Sequence, residues 1–338
     1  MIMHKVIASL LVAPLVIGAA SADTAGAAEA QKTNTAMPTY PSKPIRIISP
    51  LASGGSGDAL ARSVGETLAE ALGQPVVIDN RPGANGIIGV DLVAKAAPDG
   101  YTLLVASGGN IVINPALYAS KLPFNIERDL IPITQIATQS FIAHVAPGFP
   151  ATSIKSLIAI AKSKPDSINF ASAGAGSTAH LMAVLFESMT GVRMTHVPYK
   201  GAAQGRVAVM ARECDLMFDG LLAALPLIKA GKLRGLGVTG AKRSNVAPDI
   251  PTISESGVPG YSADAWYGMF APSGTPTPII TKLFTVLNQS LRAPERQEKL
   301  NAQGVDAVAS TPAVFTAFVK VETTKWTKVV RKSGVQPD

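Results

Sequence analysis

Short apolar runs alternate along this chain with stretches whose apolar residues recur every three or four positions. "PIRIIS" predicts a strand, and after it Leu60, Val64, Leu68, Ala71 and Leu72 fall on one helical face that Gly73 can end. "PVVID" predicts a short buried strand, "NRPGANG" a turn, and Ile88, Leu92, Val93 and Ala96 the next helix. "YTLLVA" and "SINFASA" predict further strands, and the amphipathic "SIKSLIAIAKSKP" predicts the helix ahead of the second. "HLMAVLFESMTG" then predicts a helix with a glycine stop. "MTHVPY", "DLMFDG" and "LRGLGVTG" predict strands, with a short helix, "ALPLIKAG", between the last two. The chain closes on three helical patterns, the last with Phe315, Phe318, Trp326 and Val329 on its inner side. Alternating strands and helices argue for mostly parallel sheets covered on both faces.

Three of these units share one design. "IRIISPLASGGSGDALAR", "YTLLVASGGNIVINPAL" and "INFASAGAGSTAHLMAV" each run from a strand through a loop of small residues into a helix. Open α/β sheets bind ligands at the carboxyl ends of their strands, and the helix that follows aims free N–H groups and a partial positive charge at that spot. Glycine lets the backbone approach, and Ser53, Ser56, Ser107 and Ser177 add hydroxyls. None of the three loops contains Lys or Arg, so dipoles and hydroxyls would hold an anion there in an exchangeable grip suited to a carboxylate.

Composition narrows the setting. Lys5 followed by an apolar run from Val6 to Ala20, and then small residues, is the layout of a secretory signal peptide, with Ala20-Ser21-Ala22 as the best cleavage site. Residues 1–22 are therefore expected to be removed, residues 23–40 to form a linker, and the mature protein to be exported. The formal charge of +7 suits small anions, and no dense basic run or basic–aromatic interleaving points to nucleic acid. Cys214 is the only cysteine, which excludes a disulfide framework; in "ARECDLMFDG" it reads as a buried, inert thiol.

The enzyme signals are thin. "GAGSTA" fits a dinucleotide fingerprint, but the following strand ends in Lys200 rather than an acid. No G-x-S-x-G is present, since "GGSGD" fails at its last position, and no His, Cys or carboxylate cluster has metal-ligand spacing. No catalytic residue, metal or cofactor is expected. Asp58 reads as a brace for N–H groups, because a carboxylate would repel an anionic ligand. His180 reads as a packed or hydrogen-bonded structural residue, His144 and His196 as strand residues without a shared partner, and Trp266 and Tyr267 as core or hinge packing.

Several pieces resemble the Bug family, periplasmic receptors of tripartite tricarboxylate transporters: "VVIDNRPGANGIIGVDLVAKAAPDGYTLL", "INPALY", "INFASAGAGSTAHL", "HVPYKG", "DLMFDG" and "WYGMFAPSGTP". The resemblance implies a two-lobed periplasmic binding protein of type II, α/β, each lobe a mostly parallel sheet flanked by helices. Residues 41–140 with 261–338 would form domain 1, and 141–260 domain 2. It places Ser53, Gly54, Gly55, Ser56 and Asp58 at one end of the ligand, then Ser107, Gly108 and Asn110, with Asn114 in support. From domain 2 it adds Gly174, Ala175, Gly176 and Ser177, with Tyr199, Lys200 and Gly201 at the mouth and Asp219 at the cleft end of a strand. Gly57, Gln204 and Gly220 depart from the family's usual residues at the pocket edge.

The implied function is a monomeric receptor that captures a small mono- or dicarboxylate by hinge closure and delivers it to one large and one small membrane subunit. A secreted hydrolase of small acid derivatives and a ligand-binding sensor are the alternatives. The sensor is physically the same module with a different partner.

Overall fold

A computed structural model describes residues 40–54, 56–118, 121–302 and 304–334. The expected signal peptide, the linker up to residue 39 and Gly55 lie outside the described residues, as does the side chain of Ser56. In chain order the first elements are β1 (Ile45–Ser49), α1 (Ser56–Leu72), β2 (Val76–Asn80), α2 (Ile87–Ala94), β3 (Thr102–Ser107), α3 (Asn114–Tyr118), α4 (Ile126–Asp129) and β4 (Leu130–Gln139). Next come β5 (Phe141–Val145), α5 (Ile154–Ser163), β6 (Asn169–Ser172), α6 (Thr178–Thr190), β7 (Thr195–Pro198), α7 (Ala202–Met210), β8 (Leu216–Gly220), α8 (Leu221–Lys229) and β9 (Arg234–Val238). The chain ends through β10 (Ala265–Pro272), α9 (Thr277–Arg292), α10 (Pro294–Ala302), β11 (Asp306–Ala307) and α11 (Pro312–Ser333).

The strands form two sheets, one ordered β11-β4-β10-β3-β1-β2 and the other β7-β6-β8-β5-β9. Most strands of each sheet point one way, as expected: β1, β2, β3 and β4 in the first and β6, β7, β8 and β9 in the second, with β10, β11 and β5 reversed. β1 runs parallel to β2 and β3, and β6 to β7 and β8, but β10 is antiparallel to β3 and β4, and β5 to β8 and β9. Only strands joined by crossover helices must run parallel. β4 passes into β5 through the single residue Ser140, and β10 re-enters the first sheet after residues 239–264, so β5 and β10 are free to run against their neighbours. α/β architecture with helix-covered sheets stands.

Burial follows the periodicity. Ile45 and Ile47 face Leu60, Val64 and Leu68 of α1, while Ile48 points to the opposite layer, so β1 is buried on both faces. Each such aliphatic side chain contributes about 1.5–3 kcal/mol on burial. Gly73 closes α1 with a left-handed φ of 68°, and Gly191 closes α6 at 72°. Phe315, Trp326 and Val329 of α11 are buried, and Trp266 of β10 meets Phe315 and Phe318 edge-on. The terminal helix also touches the second sheet's layer: Lys332 Nζ donates to Ser188 Oγ of α6 at 3.2 Å. Tyr261, in the return crossing, donates to Met182 O at the middle of α6 at 3.0 Å. Among the described residues no helix is long and apolar enough to cross a membrane.

Candidate functional site

The carboxyl ends of β1, β2, β3 and β6 converge on a cavity of about 590 Å³. The first sheet contributes Pro50, Leu51 and Ala52 after β1, the Pro82–Gly86 turn after β2, and Gly109, Asn110, Ile113, Asn114, Leu117 and Tyr118 after β3. The second sheet contributes Ala173, Ala175, Gly176, Ser177 and Thr178 after β6. Tyr118 is the one titratable side chain among the described residues that line it.

The β6 loop is held from within. Ser177 caps α6, its Oγ accepting the His180 N–H at 3.3 Å, and its own N–H donates to Gly174 O. Gly174 N donates to Ser172 Oγ at 3.1 Å and Gly176 N to His180 Nδ1 at 3.0 Å. Gly174 and Gly176 take φ of 126° and 71°, a region open to glycine at little cost. Among the described residues of this loop, Ala175, Thr178 and Ala179 keep N–H groups without a protein acceptor, two of them in the first turn of α6, where the helix end is positive.

His180 and His196, expected to be unrelated, stack at 3.7 Å between centroids, and Ser172 Oγ lies 2.6 Å from His196 Nε2. Burial, followed by the neighbouring His196, pulls the His180 pKa down to about 4, and burial lowers that of His196. Both rings are therefore neutral near pH 7. Neither serine makes a nucleophile–base pair open to a substrate: Ser172 is fully buried, and the Nδ1 of His180 is taken by Gly176.

On the first-sheet side, Asn110 Nδ2 and Asn114 Nδ2 both donate to Asn85 O, at 2.9 and 2.8 Å, while Ser107 N and Oγ donate to Asn110 Oδ1. These amides fix the Ala84–Gly86 turn, whose residues all have positive φ. Asp58 is buried, and its Oδ2 accepts the Gly54 N–H at 2.9 Å and Arg62 Nε at 3.1 Å, while Asn80 Nδ2 donates to its Oδ1. The Gly54 N–H, ahead of Arg62 and Asn80, holds the Asp58 carboxyl below its usual range. At Gly57 an added Cβ would sit 2.0 Å from Leu51 Cδ1, so here Leu51 fills the space a side chain would need.

Of the residues expected from the sequence, Asn110, Asn114, Ala175, Gly176 and Ser177 line this cavity. Ser107 and Gly108 line a side chamber of about 250 Å³ that shares Leu51, Gly109, Ile113 and Thr178 with it. Ser53, Gly54, Asp58 and Gly174 line neither of the two. Tyr199 turns its hydroxyl to Cys214 Sγ at 3.5 Å, and Lys200 N donates to Gln204 Oε1 beside Gly201. Asp219 is buried, bonded through both oxygens to Arg206, and lies 3.5 Å from His144 Nε2, which gives His144 a neighbour the sequence did not suggest. The "NRPGANG" turn, read only as a turn, forms one wall; its place at the carboxyl end of β2 was the available signal. Among the described residues no group of three or more His, Cys, Asp or Glu is placed to hold a metal.

The family model described as "Tripartite tricarboxylate transporter family receptor" matches residues 60–335. The chain is similar to Protein BugT of Bordetella pertussis, 36% identical over 298 residues, covering 88% of this chain and 91% of that one. It is also similar to two solved structures. One, R. palustris Rpa4515 with adipate, is 36% identical with a TM-score of 0.73 and covers 88% of this chain and all of that one. The other, MatC from Rhodopseudomonas palustris with bound malate, is 31% identical with a TM-score of 0.69 and covers 86% of this chain and all of that one.

Proposed function

The chain belongs to the tripartite tricarboxylate transporter receptor family, and on that premise we infer that its cavity captures a small carboxylate as a periplasmic solute receptor. The observation that carries this reading is the cavity after β6, where the start of α6 offers the free N–H group of Thr178 beside that of Ala175. A carboxylate accepts several such donors at once and gains from the helix dipole, with no cation to bind it too firmly. The relatives solved with adipate and malate support this ligand class. Ser53, Gly54 and Asp58 belong to the first loop, while Tyr199, Lys200, Gly201 and Asp219 act behind or at the rim of the second wall.

The two sheets support a division into lobes at residues 41–140 with 261–338 and at 141–260, joined at Ser140 and the 239–264 crossing. Ligand bridging the lobes would close them and present a joint surface to the large and small membrane subunits. The receptor works as an exported monomer, its signal peptide removed near Ala22, and performs no chemistry on its ligand.

Thermal melting against a panel of small acids tests this. A ligand at a hundredfold excess over Kd stabilises the folded state by about 2.7 kcal/mol, which raises the melting point by roughly 5–10 °C for a chain of this size. The matching acid should do so and its amide or ester should not. If only neutral sugars or nucleotides shift the melting point, the reading is wrong.

A further inference from the structure

The side chamber has a composition unlike that of the main cavity. Phe141, Trp266, Tyr267 and Trp326 supply aromatic walls, and Asp264 is the one carboxylate among the described residues lining it; no Lys, Arg or His does so. Asp264 stands where the chain returns from the second sheet to the first. Thr239 Oγ1 donates to its Oδ1 at 3.0 Å, the Ser140 hydroxyl faces the same carboxyl, and its Oδ2 lies over Gly240, where an added Cβ would come within 2.7 Å. Lys325, whose charge acts on Asp264, is bonded to Glu322 Oε1 at 2.5 Å and to Ser262 O at 2.9 Å. Asp264 therefore lacks an ion-pair partner among the described residues.

A carboxylate without a counter-ion, in a chamber lined by aromatic side chains, is the chemistry that binds an ammonium group: the acid supplies charge, and aromatic rings attract a cation once water is removed. Thr178 borders both cavities. A ligand whose carboxylate sits at the start of α6 can thus reach the chamber with its other end.

We propose that Asp264 and the aromatic chamber bind a protonated amine, so that the receptor's ligand is an amino acid in the broad sense, a carboxylate bearing an ammonium group. This rests on the carboxylate-receptor reading and adds to it the second functional group. Burial raises the Asp264 pKa to about 7, with Asp306 adding to the rise and Thr239, Ser140 and Lys325 opposing it, while Tyr261 lies in its field. Near pH 7 the empty chamber accordingly holds a partly protonated carboxyl, and an incoming ammonium expels that proton.

The experiment uses acids paired by carbon skeleton: succinate with aspartate, glutarate with glutamate, butyrate with 4-aminobutyrate, hexanoate with 6-aminohexanoate. Calorimetry on the wild-type protein at pH 7, repeated in buffers of different ionisation enthalpy, reads affinity and proton release together. In at least one pair the amine-bearing member should bind ten or more times tighter than its partner and release protons. Asp264→Asn keeps an acceptor for Thr239; it should cost that amine-bearing acid at least tenfold, abolish proton release, and leave the amine-free partner within threefold. Equal binding within every pair, preference for the amine-free members, proton uptake with the amines, or an equal loss of both members in the variant would overturn the proposal while leaving the carboxylate reading intact. If no acid of either kind binds, the carboxylate reading falls and this proposal with it. Proton release is measured on the unmodified protein, so it stands even where the variant folds poorly.

Discussion

His180 lies flat on His196, their centroids 3.7 Å apart and their planes 10° from parallel, and the same imidazole accepts the Gly176 N–H. A neutral ring pair thus fixes the loop that starts α6. Protonation would set two cations face to face and remove the lone pair that Gly176 uses.

That arrangement makes stability acid-sensitive. His180 has a folded pKa near 4 against 6.5 for the unfolded residue, and that of His196 is lowered too. Between these values the unfolded chain binds more protons, so the contribution is complete above about 6.5 and is lost as pH falls towards 4. The melting point should drop steeply over that window. His180→Phe preserves packing but removes both acceptor and titration. It should lower stability at pH 7.5 by about 1 kcal/mol and flatten the acid slope. An unchanged slope would refute the role of the pair.

Ser177 has two separable roles. Ser177→Ala deletes the cap of α6 and should cost about 1 kcal/mol of stability. Ser177→Asp keeps a capping oxygen, so the melting point should stay near that of wild type, yet it brings a negative charge to the cavity and should weaken carboxylate binding more than tenfold. Melting and titration calorimetry on both variants separate the effects.

Gly86→Ala probes the turn after β2. Its φ is 88°, and an added Cβ would lie 2.3 Å from Asn110 Nδ2 and 3.1 Å from Pro50 O. The strained backbone alone should cost roughly 1–3 kcal/mol, and displacement of Asn110 frees Asn85 O. Urea unfolding should show the loss; wild-type stability would mean the turn is not held as described.

The strand–loop–helix units were legible because their strands are short apolar runs and their loops consist of residues needed for special backbone geometry. β4 and β10 were not. In "LIPITQIATQ", Thr134 and Gln135 are buried polar positions satisfied by Ser310, far along the chain: Thr134 Oγ1 donates to Ser310 O at 2.7 Å and Gln135 N to Ser310 Oγ at 3.0 Å. Local pattern cannot reveal such a partner. The histidine stack and the surroundings of Asp264 escape for the same reason, since each joins residues from separate elements. Spacing did suggest which loops meet; it did not show that the N–H groups of Gly174, Gly176 and Ser177 are consumed inside the β6 loop.

Asp58 offers a graded test of the first loop. Asp58→Asn retains an oxygen for the Gly54 N–H and should cost less than Asp58→Ala, which removes the acceptor of Gly54 and Asn80 at about 0.5–1.5 kcal/mol per hydrogen bond. Melting points of the two variants at neutral pH give the order, and equal losses would mean the charge rather than the hydrogen bond matters.

α6 spans 13 residues, about 20 Å at 1.5 Å per residue. Its cap opens on the cavity, Tyr261 grips its middle at Met182, and Lys332 meets Ser188 near its far end. One helix thus runs from the cavity wall at Ser177 to the terminal helix at Lys332, so a spectroscopic label beside Ser188 samples the element that lines the cavity without entering the cavity itself.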